Sequence, residues 1–146
     1  MSQKFIKYIE DSTDLKYFGA HELLFKGGSH STPGSSGYQL NTDPPEDLWP
    51  KILPAIILLD KFRERIGVPI TITSAYRSPA YNKSIDGALS SYHTKFQAID
   101  FRANGVKASN CVQELIEMRQ AKLFKGGIGR YASFTHVDTR GYNADW

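Results

Sequence analysis

Two histidines and one aspartate in the sequence are residue types that hold a catalytic zinc ion. His93 and Asp100 are seven residues apart, and His136 lies further along the chain. Taken singly, a histidine near an aspartate is common on protein surfaces, and a histidine in a strand is usually a half-buried core residue. Zinc binds imidazole nitrogen and carboxylate oxygen at about 2.0–2.2 Å, so its ligands must converge from different elements. Together the three residues predict a catalytic zinc site, with a fourth position left for water.

Strand patterns surround these residues. The segment 68–74 alternates apolar and polar residues, many of them β-branched, which predicts a strand. A second strand, over 98–101, carries the aspartate, and a third, over 134–138, carries the second histidine. Alternation along the third strand places His136 and Asp138 on the same face. The first histidine then lies on the loop that enters the second strand.

Helical patterns alternate with these strands. The segment 42–47 is a helix-start signature, and apolar residues recur after it at about every 3.6 residues until Gly67. Two prolines inside this pattern indicate that the helix either begins later or kinks. A short helix is predicted from Ser78 to Gly87, and an amphipathic helix from Ser109 to about Arg119. The mixed order predicts an α+β fold, with a small mixed or antiparallel sheet and flanking helices.

The composition fits one compact, ordered domain. The chain has 146 residues, of which 40% are apolar and 23% are charged, and this balance argues against disorder. A formal charge of +3 is too small to indicate a nucleic-acid partner. Cys111 is the only cysteine, which excludes an internal disulfide and a cysteine-based metal cage. Any metal site must therefore use histidines and carboxylates, and we expect a monomer.

The chain shows neither an apolar stretch of signal-peptide length near its start nor one of transmembrane length elsewhere. We therefore expect synthesis in the cytoplasm and no membrane insertion. We treat residues 1–41 as an N-terminal segment of the same domain as a core over 42–146. The Gly/Ser-rich stretch 27–37 is either a linker loop or a flap beside a site, and its composition favours a simple exposed loop.

Three ordered motifs resemble one known family. They are Ser-Ala-Tyr-Arg-Ser-Pro-Ala-Tyr-Asn over 74–82, Ser-Tyr-His over 91–93 with Ala-Ile-Asp over 98–100, and Gly-Ile-Gly-Arg-Tyr over 127–131 followed by Phe-Thr-His-Val-Asp-Thr-Arg-Gly over 134–141. This pattern resembles the zinc D-Ala-D-Ala carboxypeptidases and murein endopeptidases, or LAS metallopeptidases. That family includes phage endolysins and shares its metal-site fold with the hedgehog signalling domain. The resemblance covers roughly residues 42–146.

The resemblance implies roles for individual residues. His93, Asp100 and His136 would be the zinc ligands. Arg77 would face the substrate, where its guanidinium could hold a peptide carboxylate or stabilise a developing oxyanion. Ser91 would shape the loop that presents the first histidine. Asp138 would either take a proton from the zinc-bound water or orient a ligand histidine, and the second role is the commoner one for such an aspartate.

The sequence departs from the family pattern at several positions. Phe96 and Ala75 stand where the family usually has glycine, and the large Phe96 side chain is expected to narrow the cleft or force another loop path. Ser133 and Phe134 occupy the positions that carry an acidic residue or a second histidine in many relatives, and neither can act as a general base.

The resemblance implies a zinc-dependent peptidase that hydrolyses peptide bonds of peptidoglycan containing D-amino acids. It leaves open a carboxypeptidase or an endopeptidase, such as a phage endolysin released to the cell wall by lysis, with a cytosolic D,D-dipeptidase as the second enzymatic option. The alternatives are a metal-bearing module that binds the wall or a protein without turnover, and a virion structural protein with a vestigial site. His21 and His30 are expected on the surface, whereas the sequence does not assign Trp49 and Trp146 to core or cleft wall.

Overall fold

A computed structural model describes residues 2–146, which form an α+β domain around a five-stranded mixed sheet. This architecture confirms the predicted fold class. The helices are α1 (Ser2–Ser12), α2 (Gly28–Ser31), α3 (Leu53–Ile66), α4 (Pro79–Ser84) and α5 (Ala108–Gln120), with 3-10 helices over Ala20–Leu24 and Glu46–Ile52. The strands are β1 (Ile70–Ser74), β2 (Ala98–Ala103), β3 (Gly127–Arg130), β4 (Thr135–Asp138) and β5 (Ala144–Asp145).

The strand order in the sheet is β1-β2-β4-β3-β5. The first four strands in that order pair antiparallel, and the short edge strand β5 runs parallel to β3. Asp100 on β2 lies directly opposite His136 on β4, and His136 lies opposite Gly129 on β3. Directly opposed residues on neighbouring strands have side chains within contact distance. The register alone therefore brings together two of the three predicted ligands.

The long helix begins later than its start signature suggests. Residues Glu46–Ile52 form a 3-10 helix that contains Pro50, and α3 follows from Leu53 with Pro54 in its first turn. Proline fits a first turn because that position needs no N–H donor. Gly67 ends α3 as predicted, in a left-handed conformation with φ 69°. The short helix α4 ends at Ser84, earlier than the predicted Gly87.

The N-terminal segment packs into the same hydrophobic core as the sheet. The ring of Phe5 on α1 lies 5.3 Å from the ring of Trp49 and 5.9 Å from that of Phe96, measured between centroids. Trp49 is therefore a core residue and not part of a cleft wall. The buried amide of Asn41 donates to the carbonyls of Lys26 and Tyr76 and accepts the N–H of Ser78. These contacts bind residues before position 42 to the loop that carries the arginine motif.

The Gly/Ser-rich stretch is more ordered than a simple exposed loop. It contains the helix α2, and the Ser36 hydroxyl donates to the carbonyl of Ser84 at the end of α4. His30 is half-buried, and its Nδ1 accepts a hydrogen bond from the N–H of Asn41, which corrects the expectation of a solvent-exposed side chain. His21 is exposed, as expected. Across residues 2–146, no helix combines the length and apolar character that a membrane crossing requires.

Candidate active site

His93, Asp100 and His136 meet at one point beside the sheet. One ligand atom from each residue lies within 4.8 Å of the others, and all three side chains are buried. Two of the residues come from opposed strands, whereas His93 comes from the loop before β2. The Ser91 hydroxyl accepts the N–H of His93 at 3.2 Å, which confirms that this serine shapes the loop.

The hydrogen bond of His93 determines which ring nitrogen faces the cluster. Its Nδ1 lies 2.7 Å from the carbonyl oxygen of Ala75, so Nδ1 carries the hydrogen and donates it. Nε2 is then an acceptor, and it lies 3.1 Å from Oδ1 of Asp100, which is also an acceptor. Within residues 2–146, Nε2 has no hydrogen-bond partner although it is buried. A buried lone pair facing a carboxylate is the arrangement that a cation stabilises.

His136 presents the opposite nitrogen to the same point. Its Nε2 lies 2.8 Å from Oδ2 of the buried Asp138, and its Nδ1 lies 2.8 Å from Oδ1 of Asp100. If Nε2 carries the hydrogen, Nδ1 is free to act as a ligand. The cluster then offers two imidazole nitrogens and one carboxylate oxygen, each histidine being held by a hydrogen bond at its other nitrogen. That donor set fits zinc and the supporting hydrogen bonds usual around it.

The burial and charges of the cluster shift its pKa values in different directions. Burial lowers the pKa of His93, although Asp100 acts in the opposite direction. Burial would also lower the pKa of His136, but its hydrogen bonds to Asp100 and Asp138 outweigh that effect and raise it. Burial would raise the pKa of Asp100, yet the two histidines hold it well below its usual range. Asp100 is therefore ionised at neutral pH, as a metal-binding carboxylate must be.

Arg77 lies beside the cluster with its guanidinium half-buried. It donates from Nη2 to Oδ2 of Asp100 at 3.1 Å, from Nη1 to Asn82 at 3.3 Å and from Nε to Ser74 at 3.1 Å. The guanidinium thus orients the Asp100 carboxylate through Oδ2, the oxygen that faces away from the two histidines. An arginine has more N–H donors than these three bonds use, so it retains donors for a further acceptor.

Asp138 is fully buried and forms an ion pair with Arg140. The guanidinium donates to both carboxylate oxygens, at 2.9 and 2.7 Å, and the N–H of Gly127 donates to Oδ1 at 2.8 Å. Burial would raise the pKa of Asp138, but hydrogen bonds from Arg140 and His136 hold it well below its usual range. A carboxylate so stabilised in its ionised form is a weak proton acceptor. Its contacts favour orientation of His136.

Phe96 does not narrow the cleft, which corrects that expectation. Its side chain is fully buried in the core, and its ring centroid lies 6.0 Å from that of Tyr76. Its backbone has φ 55°, in the left-handed region that glycine adopts without strain. The family's usual glycine at this position therefore corresponds to a backbone requirement of the loop. Ala75, at the other departure, is fully buried and supplies the carbonyl that holds His93.

Aromatic side chains that the sequence did not assign form one side of the site. The indole ring of Trp146 lies 4.9 Å from the imidazole of His136, and its Nε1 donates to the hydroxyl of Tyr131 at 2.8 Å. Tyr131 stacks on Phe134 with ring centroids 4.3 Å apart. Trp146 therefore belongs to the cleft wall. Only the pairing of β5 with β3 places it there, and no pattern in the sequence predicts that pairing.

Two adjoining cavities open at the cluster. The larger, of about 560 Å³, is lined by all three residues of the cluster and by Trp146 and Arg140. The smaller, of about 270 Å³, is lined by Gly27, Gly28 and Ser29 of the Gly/Ser-rich stretch. Four residues line both cavities, namely Arg77, Ile85, Asp100 and Phe134. The two cavities therefore adjoin at Arg77 and Asp100, and the stretch expected to be a simple loop forms part of the wall of the smaller one.

Comparison with known proteins agrees with this site. The family described as Peptidase M15 matches residues 27–138, which confirms the resemblance carried by the motifs. The chain is similar to the peptidoglycan L,D-endopeptidase MepK of Escherichia coli (strain K12) and to the protein of that name from Shigella flexneri. Each is 37% identical over 78 residues, which cover 49% of this chain and 40% of the relative. The chain thus spans less than half the length of these relatives. No solved structure matches it.

Proposed function

Because this chain belongs to the peptidase M15 family, we propose that it is a zinc-dependent peptidase that cleaves peptide bonds within bacterial peptidoglycan. The observation that carries the proposal is the meeting of three acceptor atoms, His93 Nε2, Asp100 Oδ1 and His136 Nδ1, at the floor of an open cleft. The cell-wall substrate is proposed from the two relatives named as peptidoglycan endopeptidases.

Each residue in or beside the cluster would have a separate role in catalysis. His93, Asp100 and His136 would hold the zinc ion, which when bound supplies a Lewis acid and a water of lowered pKa. The Ala75 carbonyl and Asp138 keep the two imidazoles in the tautomers that binding requires. The remaining N–H donors of Arg77 would bind the scissile carbonyl oxygen and stabilise the negative charge that develops there.

The shape of the cleft favours an endopeptidase over a carboxypeptidase. A carboxypeptidase needs space for a long chain on only one side of the scissile bond. Here the cavities of about 560 and 270 Å³ share Arg77 and Asp100, so the space for a substrate chain beside the cluster extends beyond the larger cavity. We propose that the protein cleaves an interior bond next to a D-amino acid. The expectation of a monomer is retained from the sequence analysis, and a phage endolysin remains one form of such an enzyme that the resemblance implies.

One observation favours a second candidate function, a metal-bearing module that binds the wall without turnover. Asp138, the nearest carboxylate to His136 on its strand, is buried and bound to Arg140, which makes it unsuited to proton transfer. Asp86 is the other carboxylate besides Asp100 that lines the larger cavity, and it is exposed. An active enzyme would therefore use Asp86 or solvent to accept the proton.

Digestion of purified peptidoglycan by the zinc-loaded protein tests both candidates, with product masses read by mass spectrometry. The proposed endopeptidase releases fragments cleaved at an interior peptide bond, and the His93→Ala variant releases none. The His21→Ala variant, altered at an exposed histidine away from the site, is the matched control and retains activity. Release of single terminal amino acids alone would show a carboxypeptidase. Sedimentation with the wall and no product would establish the binding module.

A further inference from the structure

The ion pair between Arg140 and Asp138 connects the wall of the cleft to His136. Asp138 Oδ2 contacts two groups, the Nη2 of Arg140 at 2.7 Å and the Nε2 of His136 at 2.8 Å. Its other oxygen accepts the Nε of Arg140 at 2.9 Å, so the guanidinium grips the carboxylate at two points. Bidentate pairs of this kind fix orientation as well as charge. A continuous chain of contacts thus runs from the cleft wall to a zinc ligand.

Arg140 is itself held in place by three aromatic rings. Its guanidinium carbon lies 4.3 Å from the ring centroid of Tyr92, 5.0 Å from that of Trp146 and 5.6 Å from that of Tyr142. Distances below about 6 Å allow cation–π attraction. Tyr92 and Trp146 also line the larger cavity. The rings restrict the guanidinium to the position from which it can reach both oxygens of Asp138.

Charge explains why Asp138 needs this partner. The carboxylate is completely buried, and an isolated buried charge is strongly unfavourable. Arg140 supplies two of the donors that hold the Asp138 carboxylate beside His136. Without them the carboxylate would be free to turn, and His136 would lose the acceptor that keeps its hydrogen on Nε2 and its lone pair on Nδ1. The orientation of the ligand therefore depends on a residue that does not touch the metal position.

We propose that Arg140 is a positioning residue that sets zinc affinity through Asp138 and His136. The inference rests on the proposed zinc site, but its test does not depend on peptidase activity. Loss of a hydrogen-bond partner behind a metal ligand typically lowers affinity by about 10- to 100-fold. Arg140→Gln should cause a loss of that size. Arg140→Lys keeps the charge without the planar fork and should cause a smaller loss.

The experiment measures zinc affinity by competition with a chromophoric chelator, for wild type, Arg140→Gln, Arg140→Lys, Asp138→Asn and the double variant. If Arg140 acts on His136 only through Asp138, the double variant loses little more zinc affinity than Asp138→Asn alone. Arg65→Gln is the matched control, because Arg65 also forms an ion pair, with Glu114 at 2.6 Å, but lies on α3 outside the residues lining the cleft. It should bind zinc like wild type.

Two results would overturn the proposal. One is wild-type zinc affinity in an Arg140→Gln variant whose circular dichroism spectrum shows that it is folded. The other is additive losses in the double variant, which would mean that Arg140 acts independently of Asp138. If Arg140 instead only bound substrate, its replacement would raise KM and leave zinc affinity unchanged. A zinc-binding protein that cleaves no wall would refute the proposed function alone and leave this inference intact.

Discussion

At the scale of single residues, the site is defined by which nitrogen of each histidine is free. His93 is held by a backbone carbonyl and offers Nε2, whereas His136 is held by a carboxylate and offers Nδ1. These two nitrogens both face Asp100 Oδ1, and the three acceptors repel one another unless a cation or an added proton lies among them. The sequence predicted the three residues by type and spacing. It did not predict the nitrogen used by each histidine, because that depends on hydrogen bonds between distant segments.

Zinc should therefore stabilise the fold, and removal of one zinc-binding side chain should abolish the effect. An ion that binds only the native state, present at 100 times its Kd, adds about 2.7 kcal/mol to the free energy of unfolding. We expect wild type to bind about one zinc per chain and to lose this stabilisation in EDTA. His93→Ala should unfold at the same urea concentration with zinc or with EDTA. An equal zinc effect in wild type and in this variant would exclude His93 as a ligand.

Phe96 combines a strained backbone with a fully buried side chain, and magnitudes decide which effect dominates. A non-glycine residue in the left-handed region costs about 1–2 kcal/mol, whereas truncation of a buried phenylalanine costs about 3–5 kcal/mol. Phe96→Gly should therefore lower the free energy of unfolding by about 1–4 kcal/mol, measured with urea. The aromatic side chain thus compensates for the backbone strain at a position where the family usually has glycine.

Lys122 provides the matched control for that prediction. It also has a left-handed backbone, with φ 68°, but its side chain is exposed just after α5. Lys122→Gly relieves the strain without loss of packing, so we expect unchanged stability or a gain of up to about 1 kcal/mol. A Phe96→Gly variant as stable as wild type would show that packing of this ring contributes little.

At the scale of elements, strands with alternating β-branched residues were predictable and the glycine-rich strand was not. β1, β2 and β4 lie within two residues of their predicted bounds, and α5 begins one residue early. The segment 126–129 has no alternating pattern of the kind that predicts a strand, yet it contains most of β3. Its composition resembles a turn because the glycines are needed for close approach to β4. That need arises from tertiary contacts, which no local pattern encodes.

Gly129 shows this requirement most directly. A Cβ added there would lie 2.9 Å from the Cβ of His136 and 2.9 Å from the indole of Trp146, closer than side chains pack. Gly129→Ala should cost about 1–3 kcal/mol in unfolding free energy, as overpacked core substitutions do. It should also weaken zinc binding, because the ligand histidine must move. Chemical denaturation and chelator competition measure the two effects.

The control for this prediction is Gly28→Ala. A Cβ at Gly28 meets no atom within 4 Å, and its φ lies outside the left-handed region. Its stability should remain within about 0.5 kcal/mol of wild type, as for ordinary surface substitutions. If Gly129→Ala bound zinc as tightly as wild type, β3 would not constrain the position of His136.

At the scale of the whole molecule, the N-terminal segment and the peptidase core form one packing unit. The core includes Phe5 and Ile9 of α1 together with residues of α3 and the sheet. The assignment of residues 1–41 to the same domain as 42–146 stays a prediction. The Gly/Ser-rich stretch lies on α4 and lines one cavity of the cleft. Its role in the cleft could not be read from composition, since linkers and cleft walls share glycine and serine.

Asn41 joins these two parts of the chain, and its loss should destabilise the molecule as a whole. Its amide donates at 3.0 Å to the carbonyl of Lys26 and at 2.9 Å to that of Tyr76, and its oxygen accepts the N–H of Ser78 at 2.8 Å. Each buried polar group left without a partner costs about 1–3 kcal/mol. Asn41→Ala should therefore lower the free energy of unfolding by at least about 2 kcal/mol, measured with urea in EDTA so that zinc does not contribute.

Asn110→Ala, at an exposed position on α5, is the matched control, and its free energy of unfolding should fall within about 0.5 kcal/mol of wild type. Asn41 bonds to Tyr76 and Ser78, the residues on either side of Arg77. Asn41→Ala should therefore also loosen Arg77 and reduce kcat/KM on wall fragments. A stable Asn41→Ala variant with full activity would show that these three hydrogen bonds are not needed to hold the site.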